Sequence, residues 1–197
     1  MSLPKIVVCA SGEGSNFQAL VEASRSGELR AEITGLIVNR AKIGALGRAQ
    51  RLKVDAKILT PAKFESRLAW DEAMVKCLQT WGAQWVVLAG FLVMVGPRVL
   101  NSFPDHVINS HPALLPKYGG PGMYGDRVFE AVVAAKENET GLTFHLVNEK
   151  YDEGRILHQV RIPILGNETA AQLAHRVKLE ENRLYPKVLN DVIHNPS

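Results

Sequence analysis

Only two cysteines occur in 197 residues, too few for a disulfide framework. Cys9 falls in an apolar strand and Cys77 in an amphipathic helix, so both read as buried free thiols. No apolar run is long enough to span a membrane, and Ile6-Val7-Val8-Cys9-Ala10 is too short for the core of a signal peptide. Neither sign of charge dominates. Lys and Arg number 23 against 20 Asp and Glu, and the bases are scattered among acids, so no nucleic-acid surface is expected. His, Cys and Asp nowhere cluster at metal-ligand spacing, and no metal is expected. There is no internal repeat and no linker. A composition of 46% hydrophobic and 22% charged residues is ordinary globular material, expected to form one domain over 1–197 in the cytoplasm.

Strand-like and helix-like segments alternate from the first residues. Lys5–Ala10 is a short apolar strand that stops at a glycine-rich turn, after which Phe17, Leu20, Val21 and Ser24 recur at helical spacing. Further strands are expected at Ile33–Val38, Ala56–Leu59, Trp85–Ala89, Val107–Ser110, Leu142–Val147 and His158–Ile162. Helices are expected at Ile43–Leu52, Arg67–Trp81, Pro97–Phe103 and Arg127–Lys136, the second of them with Leu68, Met74, Val75 and Leu78 inward. Thr169-x-x-Gln172 reads as a capping box opening a last helix with Leu173, Val177 and Leu184 inward, which Pro186 should kink or end. The pattern predicts an α/β fold: a doubly wound, mostly parallel sheet of about seven strands, becoming mixed in its second half.

Three features carry chemistry. Between the first strand and helix, Ser11-Gly12-Glu13-Gly14-Ser15-Asn16 supplies small residues where backbone amides can approach a phosphate at a helix N-terminus. The turn lacks the third glycine of the dinucleotide fingerprint, since position 17 is Phe, and it lacks a Walker lysine. The same turn also serves as a plain strand-to-helix connection. Second, Asn109 and His111 leave the end of a predicted strand at i and i+2, on one face. An amide donor beside an imidazole can hold an oxyanion and move a proton. Third, Tyr151-Asp152-Glu153-Gly154 returns a carboxylate between two strands, where it orients the imidazole or simply caps the turn. His145, alternating with Phe144 and Leu146, reads as a half-buried strand residue. The proline- and glycine-rich stretch from Pro112 to Gly125 reads as a long functional loop.

At these residues the chain resembles the phosphoribosylglycinamide formyltransferases of the folate-dependent formyltransferase superfamily. The likeness rests on Ser11-Gly-Glu-Gly-Ser-Asn16, Leu88-Ala-Gly-Phe91, Asn109-Ser-His-Pro-Ala-Leu-Leu-Pro-Lys-Tyr118 and Asp152-Glu-Gly154, and runs from Lys5 to about Val192. It implies a Rossmann-like N-terminal phosphate-binding half (about 1–105) and a C-terminal catalytic and folate half (about 106–197). It also implies formyl transfer from 10-formyltetrahydrofolate, as co-substrate, to the amine of 5-phosphoribosylglycinamide in purine biosynthesis, by a monomer or homodimer. The resemblance makes Asn109 the oxyanion donor, His111 its electrostatic and acid partner, and Asp152 the acceptor of the amine proton. It places phosphate on Gly12, Gly14, Ser15 and Asn16, and ribose hydroxyls on Glu181. Folate falls beside Arg67, Asn109 and the backbone of Leu92, Val93, Met94 and Val95. The chain departs from many relatives in carrying Val93 for Arg, a longer Tyr118–Gly125 loop, Asp126, Arg127 and Phe129 where histidine often begins the next helix, and Lys178 for Gln.

The alternatives are a formyltetrahydrofolate deformylase-like hydrolase and a formyltransferase for another small phosphorylated amine. The first strand begins at Lys5, so the deformylase's extra N-terminal domain is not expected; nor is the C-terminal RNA-binding domain of a methionyl-tRNA formyltransferase. A dinucleotide oxidoreductase would want an acidic residue after the second strand, where Ile37-Val38-Asn39-Arg40 has none.

Overall fold

Every residue from Ile6 to Ala10 is apolar, and in the computed structural model, which describes residues 2–195, all five are fully buried in the central strand β1 (Lys5–Ala10). A strand apolar on both faces must be covered on both. Ile6, Val8 and Ala10 enter one core and Val7 and Cys9 the other. The chain continues through α1 (Ser15–Ser26), β2 (Glu32–Val38), α2 (Gly44–Leu52), β3 (Ala56–Ile58), α3 (Arg67–Thr80), β4 (Trp85–Leu88), α4 (Pro97–Ser102), β5 (Val107–His111), α5 (Asp126–Ala134), β6 (Glu139–Leu146), β7 (Ile156–Pro163) and α6 (Ala170–His194).

One seven-stranded sheet results, ordered β3-β2-β1-β4-β5-β6-β7. The neighbours from β3 to β5 pair in parallel, while β6 pairs antiparallel with both β5 and β7. Helices α1, α2, α5 and α6 cover one face, where Phe17, Leu20, Phe129 and Leu173 share one core with Ile6 and Val8 of β1; α3 and α4 cover the other through Trp70, Met74, Leu78 and Val99. The doubly wound α/β expectation holds, with the mixed part confined to the last two strands.

Local differences have physical reasons. Leu68 is 51% exposed, because the buried face of α3 runs Trp70-Met74-Leu78 at four-residue steps. Pro186 neither ends nor divides α6, which continues to His194. Proline removes one helical hydrogen bond, at about 3 kcal/mol, but Tyr185, Val188 and Leu189 on both sides of it are buried against the sheet and hold the helix.

The strand order reverses between β1 and β4, and open α/β sheets bind ligands outside the carboxyl ends of strands at such a switch. The glycine turn follows β1 there, the 89–96 segment follows β4, and β5 ends in Asn109 and His111. The connection from β6 to β7 folds over the same edge. A Cβ on Gly154 would lie 1.7 Å from the Leu146 carbonyl oxygen, so the chain passes too close to β6 for any side chain. Gly154→Ala is therefore expected to lift the Asp152 turn and destabilise the protein by about 1–3 kcal/mol, measured by urea denaturation. An unchanged midpoint would show that the turn yields freely.

Candidate active site

Asn109 and His111 project from the same face of β5, and the antiparallel neighbour sets what they meet. Asn109 pairs with His145 and His111 with Thr143. Directly opposed residues of an antiparallel pair share a face, so His145 joins the two predicted side chains. Asn109 Nδ2 lies 3.1 Å from His145 Nε2. His145 Nδ1 is 2.8 Å from the Leu146 carbonyl, which only accepts, so Nδ1 carries the proton and Nε2 accepts from Asn109. One amide hydrogen of Asn109 is thereby fixed on His145, and the other remains for the cleft.

His111 is held in the same way. Its Nε2 donates to the Tyr118 carbonyl at 2.7 Å, which leaves Nδ1 toward Asp152 Oδ2 at 3.6 Å. Burial pushes the His111 imidazole below its ordinary range; nearby His145 adds to this, while Asp152 and the Tyr118 carbonyl oppose it. The ring is thus neutral near neutrality, and the 3.6 Å approach is too long for a hydrogen bond. A proton taken up at Nδ1 would face the carboxylate. Because the folded ring resists protonation, the unfolded chain binds more protons below the ordinary imidazole value of about 6.5. Stability is fully present above that value and falls as pH drops below it. The wild-type melting temperature is expected to decline more steeply from neutral to mildly acidic pH than that of His111→Asn; parallel slopes would contradict this.

Asp152 adopts φ +56°, a left-handed conformation that aspartate tolerates better than most residues. Its side chain is 12% exposed. Oδ2 accepts from the Gly120 amide at 3.0 Å, and Oδ1 stands 3.6 Å from His145 Nε2. Burial alone would raise its pKa. His145, the charge that His111 can carry and the Gly120 amide outweigh that, and hold the carboxyl below the usual range. An amide donor, two imidazoles and an ionised carboxylate therefore share one wall, an arrangement able to stabilise an oxyanion and relay a proton.

That wall faces a cleft of about 230 Å³ bounded by Leu92–Val95 on one side and the Asp152 turn on the other. The 92–95 segment is pinned at both ends. The Leu92 amide donates to Ser11 Oγ at 2.9 Å, and the buried Asp71 accepts from the amides of Gly96 at 3.1 Å and Arg98 at 2.7 Å. Thr143 fixes the start of the long loop, donating to the Ala113 carbonyl at 2.6 Å and accepting from the Leu115 amide at 3.1 Å.

The glycine turn stands at the end of β1, outside the lining of this cleft. Gly14, at φ +76°, is the N-cap of α1, and a Cβ there would meet Ala45 Cβ at 2.7 Å. Carbonyls of the turn are engaged elsewhere: Ser11 by Arg40, Gly12 by the Ala45 amide and Glu13 by Arg48. No side chain caps α1, so the amides of its first turn have no intrahelical partner and suit an anion. Asn16 lies against Glu181 of α6, which is only 9% exposed and which also takes the Ser110 hydroxyl. Burial pushes the Glu181 carboxyl above its usual range, against the pull of Ser110, Asn16 and Lys178.

Of the expected residues, Asn109, His111, Asp152 and Leu92 to Val95 converge on the cleft, and Gly12, Gly14, Ser15, Asn16 and Glu181 gather at its neighbour. Arg67 joins neither; its guanidinium stacks 4.3 Å from the centre of the Trp70 ring, outside the cleft lining. Sequence reasoning missed the part of His145, although its alternation with Phe144 and Leu146 marked a strand. It also missed Ser110. Among the described residues no cluster of His, Cys, Asp and Glu suits a metal ion, and no helix is long and apolar enough to cross a membrane.

Residues 4–189 match the family model described as Formyl transferase. The chain is 38% identical over 94% of its length to the chloroplastic phosphoribosylglycinamide formyltransferase of Vigna unguiculata, covering 59% of that protein. It is 33% identical over 95% of its length to the phosphoribosylglycinamide formyltransferase of Haemophilus influenzae, covering 86%. The chain thus spans about three fifths of the Vigna unguiculata relative's length and most of the Haemophilus influenzae one's. The crystal structure of glycinamide ribonucleotide transformylase 1 from Symbiobacterium toebii superposes with a TM-score of 0.90 at 34% identity, covering 96% of this chain and 87% of that one.

Proposed function

The chain belongs to the formyl transferase family, and from that premise we propose that it moves a formyl group from 10-formyltetrahydrofolate to the amine of 5-phosphoribosylglycinamide, a step of purine biosynthesis. The observation that carries this reading is the wall of Asn109, His111, His145 and Asp152 facing a cleft whose other side is the Leu92–Val95 segment.

In this reading the pterin end of the folate lies along Leu92 to Val95, and the phosphate of the ribonucleotide sits on the amides of Gly14, Ser15 and Asn16. The amine nitrogen attacks the formyl carbon, and the carbonyl electron pair moves to oxygen. The free amide hydrogen of Asn109 meets that oxyanion, and His111 adds positive character when Nδ1 takes a proton. Asp152 accepts the proton lost by the attacking nitrogen, directly or through water. Collapse restores the carbonyl, breaks the bond to the folate nitrogen and returns a proton to that nitrogen, giving tetrahydrofolate and the formylated amide. The N-terminal half thus binds phosphate and the C-terminal half performs transfer, both acting on small molecules in the cytoplasm.

The test is formyl transfer from 10-formyl-5,8-dideazafolate, followed by absorbance with and without glycinamide ribonucleotide. Turnover strictly dependent on the amine is expected. Deformylation indifferent to the amine would make the protein a hydrolase on the same scaffold.

A further inference from the structure

Resting on the function proposed above, we infer that Ser110 is a positioning residue of the ribonucleotide site: its hydroxyl fixes Glu181 between β5 and the glycine turn, and so sets affinity for the sugar phosphate more than the rate of transfer.

The strand alternation gives Ser110 this place. Asn109 and His111 face the cleft, and Ser110, between them, faces α1 and α6. There it donates to Glu181 Oε1, a carboxylate 71 residues away in sequence. Asn16, from the first turn of α1, lies against the same carboxylate. One group therefore joins the strand that carries the cleft residues, the helix that presents the anion-binding turn, and the last helix. The Tyr185 hydroxyl also stands beside Ser110, but its own proton goes to the Leu88 carbonyl at 2.9 Å, so it leaves the Glu181 oxygens unoccupied.

The arrangement is unfinished in a way that suits a polyol. Asn16 Oδ1 is buried without a hydrogen-bond partner. A carboxylate has about four acceptor positions, of which Ser110 and Asn16 account for two. The unpaired amide oxygen and the remaining carboxylate lone pairs are acceptors only, and they await hydroxyl donors such as the vicinal diol of a ribose. Ser110 keeps Glu181 turned toward Asn16; without it the carboxylate loses a donor and with it one preferred rotamer. Because Ser110 points away from Asn109, His111 and Asp152, its loss leaves the chemistry in place.

Ser110→Ala is expected to raise KM for glycinamide ribonucleotide about tenfold, the worth of one hydrogen bond to a charged group. The turnover number should stay within about twofold, and KM for 10-formyl-5,8-dideazafolate should not move. In a Glu181→Gln background the same substitution should add less than about twofold, because both changes then remove one interaction. If Ser110→Ala does not fold, the near-isosteric but weakly donating Ser110→Cys takes its place. Unchanged ribonucleotide KM, a loss confined to kcat, or effects that multiply fully in the double variant would each overturn the assignment. Wild-type protein without amine-dependent transfer would bring down the functional reading itself, and this inference with it.

Discussion

Asp152→Asn is expected to lower kcat about 10³-fold, within the range by which a positioned acid or base accelerates a reaction, with a melting temperature close to that of the wild type. The substitution preserves shape, so Gly120 can still donate to the side-chain oxygen that it meets at 3.0 Å. What it removes is charge and proton affinity. His111 Nδ1 and His145 Nε2, each 3.6 Å from the carboxylate, would then face a neutral amide. The only carboxylate in the wall would be lost as acceptor of the amine proton, and of the two groups that favour a proton on His111, Asp152 and the Tyr118 carbonyl, only the carbonyl would remain. The pH profile separates this role from a structural one. Because the carboxyl is held below its usual range, wild-type kcat/KM should persist on acidification until pH approaches that depressed value, as far as Asp152 alone is concerned. The residual activity of the variant should lack this limb. A kcat within about tenfold of wild type would remove Asp152 from the reaction.

Asn109→Ala should cost about 10²–10³ in kcat, or roughly 3 kcal/mol of barrier, the usual loss on removing one oxyanion donor. The magnitude is high because the donor is preorganised. His145 Nε2 takes one amide hydrogen at 3.1 Å and leaves the other aimed at the cleft, so no reorientation is needed during reaction. Both KM values should change by less than about threefold, since the developing oxyanion appears only after binding. His145→Phe would give the complementary result if examined beside it, because freeing the amide should reproduce part of the loss. Asn109→Ala protein that turns over normally would mean that another group meets the oxyanion.

Much of this architecture was legible in the residues because it is encoded over short spans. The unbroken apolar run Ile6–Ala10 announced a strand covered on both faces, and the glycine turn announced a helix entry open to an anion. Asn109 and His111 at i and i+2 had to share a face, and Thr169 with Gln172 formed the expected capping box. Each of these follows from backbone periodicity or turn chemistry within a few positions. Pairing partners are set otherwise. That His145 opposes Asn109 depends on the antiparallel register of β6 on β5, and a slip of one residue would have turned it to the other face. Asp152 reaches the histidines only because Gly154 lets the returning chain pass against Leu146. Ser110 meets Glu181 because α6 docks across the sheet, continuing through Pro186 where local propensity alone would have stopped it. Arg67 is a local exception: it stacks on Trp70, three residues on in the same helix, instead of joining the cleft. The sequence by itself determined the alternation of strands and helices, the glycine turn and the shared face of Asn109 and His111; register, close approach and helix docking decided the rest, because they are properties of packed surfaces far apart in the chain.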